Sequence, residues 1–375
     1  MGIDIPLELA ADAPLVYSTE ELEHYPEIQP LLAEAGLGEM LAPVQLGGRN
    51  PNWMTKTSTG ASVFVKVELN SASIDARTSR VKYFYDLLAR SGELRSALVA
   101  PTLYATTPDA RTQVYEVIPN SPTAQQRLVE GSLKPAIMYQ IGAALGTLHT
   151  HSAADPAVPP VAPLPSSFGF GALDDVTVPV LSAGQLQALN LLHGDSDVHS
   201  VASGLLDDHE VSGHVGLIHG DLRLDQILVS ADGNYSIIDW EEFGIGPLSR
   251  DAGSLIGDII NTAVLAALCG DDAVGRSPAS SIELGLINAK EIVAEFCAGY
   301  RRAWVQRRPS SPPDLDWATS VARYAGWHQF DRLMANAESV THLPSHARAL
   351  AGIGRSLMLE PTTFISEFEM DRIVR

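Results

Sequence analysis

Residues Leu217 to Ser254 read LIHGDLRLDQILVSADGNYSIIDWEEFGIGPLSRDAGS, and this stretch decides the fold. An apolar run predicts a strand over Val215–Ile218, and His219-Gly220-Asp221 follows as a turn. Gln226 comes five residues after Asp221, at the head of a second apolar run, Ile227–Val229. A third run, Tyr235–Ile238, ends on Asp239. One loop thus offers a carboxylate and an amide oxygen, and the next strand ends in a second carboxylate. Phosphoryl transfer needs a base near the acceptor hydroxyl, metal ligands and charge clamps on the phosphates, with little covalent help. A loop of this kind can serve acceptor and metal together, and Asp239 can bridge metal to nucleotide phosphates. Without that chemistry, His219 and Asp221 only cap a turn and Asp239 only caps a helix.

A second His-Gly-Asp shows the difference context makes. His193-Gly194-Asp195 has Ser200 five residues after the aspartate, no strand before it and no later Ile-Asp-Trp. It reads as a helix end followed by a loop.

The first stretch resembles the catalytic segment of the aminoglycoside phosphotransferase and choline kinase-like superfamily, whose loop reads H-G-D-x-x-x-x-N and whose metal motif reads I-D-W/F. The resemblance implies a protein-kinase-like two-lobed fold of the α+β class, with ATP and Mg2+ as cofactors. It implies Asp221 as catalytic base, Gln226 as the loop metal ligand and Asp239 as counterpart of the kinase DFG aspartate. Arg250-Asp251-Ala252 resembles the family's downstream structural Arg/His-Asp-Leu-Ala segment. Gln226 departs from the family's Asn. It keeps the carbonyl oxygen a hard cation prefers, on a longer arm, with Asp225 beside it.

Outward from this segment, the chain divides into a helical, acidic lead-in over 1–39, a β-rich part over 40–118 and a mostly helical part over 119–375. Ser18 stands as an N-cap ahead of Glu20, Glu21 and Glu23. From Met40 to Val67 the order is strand, Gly-Gly turn, strand, a turn at Ser58-Thr59-Gly60, and the strand Val63–Val67. A helix is predicted around Ser79–Arg90, where Val81, Phe84, Tyr85 and Leu88 recur at helical spacing, then strands at Thr102–Thr106 and Gln113–Ile118. Beyond Pro119-Asn120-Ser121-Pro122 helices dominate: Ala136–His151, Ala183–Leu192, and three near Glu283–Val305, Asp314–Ala337 and Ser345–Leu357. A Pro-rich loop, Asp155 to Pro165, separates the first two.

A kinase-like site also uses a lysine on the third strand. Lys66, between Val65 and Val67, fits that place, and Gly47 and Gly48 upstream let backbone N–H groups approach phosphates. The alternative for Lys66 is a solvent-facing strand residue. Asp86 on the predicted helix is the carboxylate spaced to pair with Lys66, with Asp75 before it; equally, Asp86 is an exposed-face residue. The adenine hinge falls on Tyr115–Ile118, through backbone groups of Glu116 and Ile118, the Glu116 side chain orienting the segment. Arg223 is either a cation that touches the transferring phosphate, as the Lys of Ser/Thr protein kinases does, or a surface residue paired with Asp225.

Charge narrows the partners. With 25 Lys and Arg against 45 Asp and Glu, the formal net charge of −20 argues against nucleic acid and against an anionic membrane. It suits a basic substrate, or simply solubility. The two cysteines, Cys269 and Cys297, read as buried thiols rather than a disulfide or zinc site. The N-terminus lacks the pattern of a signal peptide, and the apolar stretch Ala252–Cys269 reads as too short to span a bilayer, so the expected location is cytoplasmic.

Further strings, LGGRNPNW, TSTGASVFVK, HGDLRLDQILV, IIDWEEFG, AGWHQFDRL and ALAGIGRSL, resemble the kinase subunit of class V lanthipeptide synthetases from about Leu46 to Leu357. That resemblance implies phosphorylation of Ser or Thr in a ribosomally made precursor peptide, with a separate lyase and cyclase as partners. Two other readings stand beside it: a kinase of aminoglycosides or other small molecules, and a pseudokinase scaffold, which Gln226 and the missing helix Glu motivate.

Overall fold

The computed structural model describes residues 22–46, 50–69, 74–151, 158–164, 180–211, 214–270, 275–310 and 313–374. In chain order the elements are α1 (Ile28–Glu34), β1 (Met40–Gln45), β2 (Asn52–Thr57), β3 (Ser62–Val67), α2 (Ile74–Arg90), α3 (Gly92–Ala97), β4 (Leu103–Thr106) and β5 (Thr112–Glu116). There follow α4 (Ala124–Val129), α5 (Pro135–Thr150), α6 (Ala183–His193), α7 (Ser196–Val211), β6 (Val215–Ile218), β7 (Ile227–Val229), β8 (Tyr235–Ile237) and β9 (Gly244–Pro247). The chain closes with α8 (Leu248–Cys269), α9 (Pro278–Arg307), α10 (Leu315–Ala337), α11 (Ser345–Leu359) and α12 (Pro361–Glu367). Gly47, Gly48 and Ser18 lie outside the described residues.

Contacts group the chain into two compact units, Met1–Gln126 with Asp225–Phe243, and Arg127–Leu224 with Gly244–Arg375. In the first, five antiparallel strands run in the order β1-β2-β3-β5-β4. Alternation along β3 explains its two faces: Val63, Val65 and Val67 are buried, with Phe64 and Lys66 on the other side. The valines pack with Trp53, Val114 and the α1 residues Ile28, Leu31 and Leu32. The turn between β2 and β3 falls at the predicted place, with Gly60 at φ +90°, a conformation that glycine adopts freely. The β7–β8 hairpin belongs to this unit, and Ile237 N–H bonds to the Val99 carbonyl.

The second unit is helical apart from the antiparallel pair β6–β9. Within the Pro-rich loop, Val161 N–H donates to the Ile245 carbonyl and so runs beside β9. Helices α5 and α9 approach until a Cβ on Gly299 would stand 1.9 Å from the Tyr139 carbonyl oxygen. Helix α8 corrects one expectation: at 22 residues it is long and apolar enough to cross a membrane, yet 78% of its most apolar window is buried inside the protein. Its length was underestimated because the polar residues Ser249, Arg250 and Asp251 are helical and buried too. Cys297 is buried as expected, whereas Cys269 is exposed, because it is the last residue of α8.

Candidate active site

The first unit gathers charge around Lys66. Its Nζ lies 3.0 Å from Asp239 Oδ1, 2.5 Å from Glu241 Oε2 and 3.0 Å from Glu68 Oε1. Burial alone would lower the lysine's pKa, but the three carboxylates outweigh it and hold the ammonium well above its ordinary value. Asp239 follows the β7–β8 hairpin in the left-handed region, at φ 66° and ψ 57°, a strained placement for a residue with a side chain. Ile238 N–H donates to the Gln226 carbonyl at 2.9 Å, so the hairpin sets the buried Gln226 one residue from Asp239 across the ladder.

Glu241 was not foreseen. It is mostly buried, and its pKa is pushed up to about 7, first by burial and then by the charge of Asp239, which Lys66 only partly offsets. Helix α2 reaches this segment with cations rather than an acid. Arg77 sits 3.6 Å from Glu241 Oε1 and 3.2 Å from Glu242 Oε1, while buried Arg80 donates to the Phe243 carbonyl at 3.0 Å. Phe84 stacks on Trp240 with ring centroids 3.6 Å apart.

Asp86 does not pair with Lys66. It binds Lys82 one turn earlier, at 2.7 Å, with about half its side chain exposed. The reason is helical geometry: nine residues after Arg77 are about two and a half turns, which puts Asp86 on the opposite face. Glu116 ties strands together, its Oε2 accepting from Thr102 N–H and from Thr102 Oγ1, and Ile118 lies half-buried just beyond β5.

The second unit carries the loop from His219 to Leu224. Asp221 is partly exposed, and Arg223 Nη1 donates to its Oδ2 at 2.6 Å, so Arg223 pairs with the candidate base. Asp251 on α8 accepts from His219 N–H at 2.6 Å on one oxygen and from Gly220 N–H at 2.9 Å on the other. His149 Nε2 lies 3.3 Å from that carboxylate, and its Nδ1 meets Tyr300 Oη at 2.8 Å. Burial works to raise the Asp251 pKa, but the hydrogen bond and charge of His149 hold it below the usual range. Asp258, two turns along α8, accepts from Leu224 N–H at 2.8 Å and faces His328 Nε2 at 3.1 Å. The other His-Gly-Asp behaves as read: α6 ends at His193, Gly194 caps it, and Asp195 caps α7 and binds Arg355.

The first unit holds a lysine beside a carboxylate, with Gln226 near Asp239 along the hairpin, and the second holds a partly exposed carboxylate with a cation, residue types that phosphoryl transfer uses. Among the described residues no cluster of three His, Cys, Asp or Glu stands ready for a metal. Mg2+ takes one or two carboxylates together with substrate phosphates, and Asp239 with Gln226 fits that sparser set. A family model for the phosphotransferase enzyme family matches residues 41–279. The chain belongs to that family. As a member of that family it is a phosphotransferase enzyme.

Solved structures agree with this phosphotransferase on the fold. Amicoumacin kinase hAmiN, in complex with AMP-PNP, Ca2+ and Ami, is 15% identical with a TM-score of 0.50, over 92% of this chain and 96% of that one. Choline kinase LicA from Streptococcus pneumoniae is 16% identical with a TM-score of 0.51, over 92% of this chain and 100% of that one. The fold is kinase-like and α+β, an antiparallel five-stranded sheet followed by a mostly helical part. No curated protein matches the sequence significantly.

Proposed function

We propose that this phosphotransferase uses ATP with Mg2+ to phosphorylate Ser or Thr hydroxyls of a ribosomally synthesised precursor peptide, a separate lyase later removing the phosphate. The observation that carries the reading is the Asp221–Arg223 pair at 2.6 Å, a base with a cation two residues beyond it. In the reaction Asp221 accepts the hydroxyl proton as the acceptor oxygen attacks the γ-phosphorus. The bond from that phosphorus to the β-bridging oxygen breaks, and ADP keeps the electron pair. Arg223 meets the charge that gathers on the moving phosphoryl group, and Lys66 holds the nucleotide phosphates. Mg2+, when bound through Asp239 and Gln226, neutralises phosphate charge. The peptide acceptor rests on the sequence resemblance together with Arg223.

A second reading is supported by charge and by two neighbours: kinases named for amicoumacin and for choline share the fold, and a chain of net charge −20 suits a cationic small molecule. The test incubates the protein with ATP, Mg2+ and either Ser/Thr-containing precursor peptides or a panel of aminoglycosides, read by mass spectrometry. The peptide reading expects phosphopeptide and unmodified aminoglycosides. Phosphorylated aminoglycoside with untouched peptide would replace it by the second. Asp221→Ala should abolish transfer while ATP binding persists. An inert wild type that Gln226→Asn switches on would point to a pseudokinase scaffold instead.

A further inference from the structure

The string AGWHQFDRL, residues 325–333, lies in α10, and its Ala325, His328 and Gln329 are buried against α8. Helices α8 and α10 meet closely: a Cβ on Gly253 would stand 2.4 Å from Tyr324 Cβ, and one on Gly257 2.7 Å from His328 Cβ. Only glycine at 257 leaves His328 room to lie beside Asp258. Gln329 locks the register of the two helices, donating through Nε2 to the Gly257 carbonyl at 2.7 Å and accepting from Asn261 Nδ2 at 2.9 Å. All of Asp258, Asn261, His328 and Gln329 are buried.

Within this lock Asp258 has two tasks. Its Oδ1 faces His328 Nε2 at 3.1 Å, and its Oδ2 accepts from the backbone N–H of Leu224 at 2.8 Å. Leu224 follows Arg223, so the bond fixes the far end of the loop whose near end Asp251 already holds at His219 and Gly220. The seven-residue step from Asp251 to Asp258 makes about two turns, or about 10 Å, so both side chains leave one helix face. Each is backed by a histidine from a different helix, His149 of α5 and His328 of α10. Burial works to raise the Asp258 pKa, but the His328 hydrogen bond and charge, Leu224 N–H and Arg223 hold it below the usual range.

We infer that Asp258 and His328 are a positioning pair for phosphoryl transfer: through Leu224 N–H they set the end of the catalytic loop, and with it the side chains of Asp221 and Arg223. The inference rests on reading Asp221 as the base. A merely structural pair would contribute stability but leave the turnover of folded molecules unchanged. A positioning pair acts on kcat, because misplacing a reacting group by about 1 Å can cost about 10²-fold. The KM for ATP should stay within about twofold, because the Lys66 cluster is built from β3 and the segment after β8.

The experiment compares Asp258→Ala, Asp258→Asn, His328→Ala and His328→Gln, each checked for native thermal unfolding. It reads kcat, KM for ATP, and amide hydrogen exchange in peptides spanning 217–226. Asp258→Ala should lose about 10- to 100-fold in kcat and speed exchange at Leu224. Asp258→Asn keeps an acceptor for Leu224 N–H and should recover most of the turnover. His328→Gln, which keeps a donor to Asp258, should exceed His328→Ala. Folded Asp258→Ala with wild-type kcat and protected Leu224 overturns the inference. So does Asp258→Asn failing as badly as Asp258→Ala while the loop stays protected, since charge on Arg223 would then be the cause. If Asp258→Ala does not fold, the His328 pair decides on the same readouts. If wild-type protein phosphorylates no acceptor, the functional reading fails, and the exchange at Leu224 still judges the anchor.

Discussion

Lys66 answers to three carboxylates in the structure, and each should leave a different trace. Asp239 is the most exposed of the three, 37% of its side chain against 18% for Glu241 and 4% for Glu68, so it is the carboxylate a cation reaches from solvent. Asp239→Ala is expected to remove Mg2+-dependent ATP binding in calorimetry, and unchanged nucleotide affinity would sink its assignment. Glu241 carries a pH signature. Its pKa rises from 4.5 unfolded to about 7 folded, so between those values the native state binds a proton the unfolded state has released. Stability from this residue is therefore full below about pH 4.5 and lost as pH rises through about 7. Glu241→Gln should flatten that part of the melting temperature profile of the metal-free protein; an identical slope in both proteins would refute the buried, protonated carboxylate. Lys66 and Asp239 were legible because each sits in a local pattern, a strand of alternating valines and an Ile-Asp-Trp. The Lys66–Glu241 pair joins residues 175 apart, and no local spacing encodes it. Asp86 misled because sequence supplies a helix carboxylate but not which way the helix is turned.

At the scale of elements, helix α2 is the brace of the segment after Asp239. Its periodic residues Val81 and Phe84 were readable as a buried face, and both are buried. The helix begins five residues before the predicted Ser79, because its first turns are polar and carry Arg77 and Arg80, whose partners lie beyond β8. Phe84 is fully buried and touches Trp240, Phe243 and Tyr85. Truncating such a ring costs about 3–5 kcal/mol. Phe84→Ala should lose that much in urea unfolding and also weaken ATP binding, since Trp240 adjoins Asp239; a stability loss with intact nucleotide affinity would limit α2 to packing. Helix α8 was legible as apolar, and Asp258 and Asn261 within it were visible as polar interruptions. Their purpose was not, because spacing along one helix gives a shared face without naming what lies opposite. Gly299 shows the same limit: its Cβ-free approach to Tyr139 is set by where α5 crosses α9. Gly299→Ala must push the helices apart and should lower the melting temperature.

Across the whole molecule the net charge of −20 creates a field that sorts the two substrates by sign. In the proposed reaction ATP would arrive against it, and Lys66 together with Mg2+ would have to overcome the repulsion at the end of the approach. A basic acceptor, whether a cationic peptide stretch or an aminoglycoside, arrives with it. Salt screens both effects, since the Debye length shrinks from about 10 Å at 0.1 M to about 3 Å at 1 M. Raising ionic strength at fixed Mg2+ should therefore raise KM for a cationic acceptor several-fold and lower or leave unchanged KM for ATP. A neutral analogue of the same acceptor should show no such rise. Steady-state kinetics in a non-coordinating salt checks the pair of signs together. If KM for ATP and for the cationic acceptor rose alike, salt would be disrupting a shared local contact, and the long-range field would have no part in choosing the acceptor. Opposite signs would tie the acidic composition, a global feature visible before any fold was assigned, to the chemistry of the acceptor.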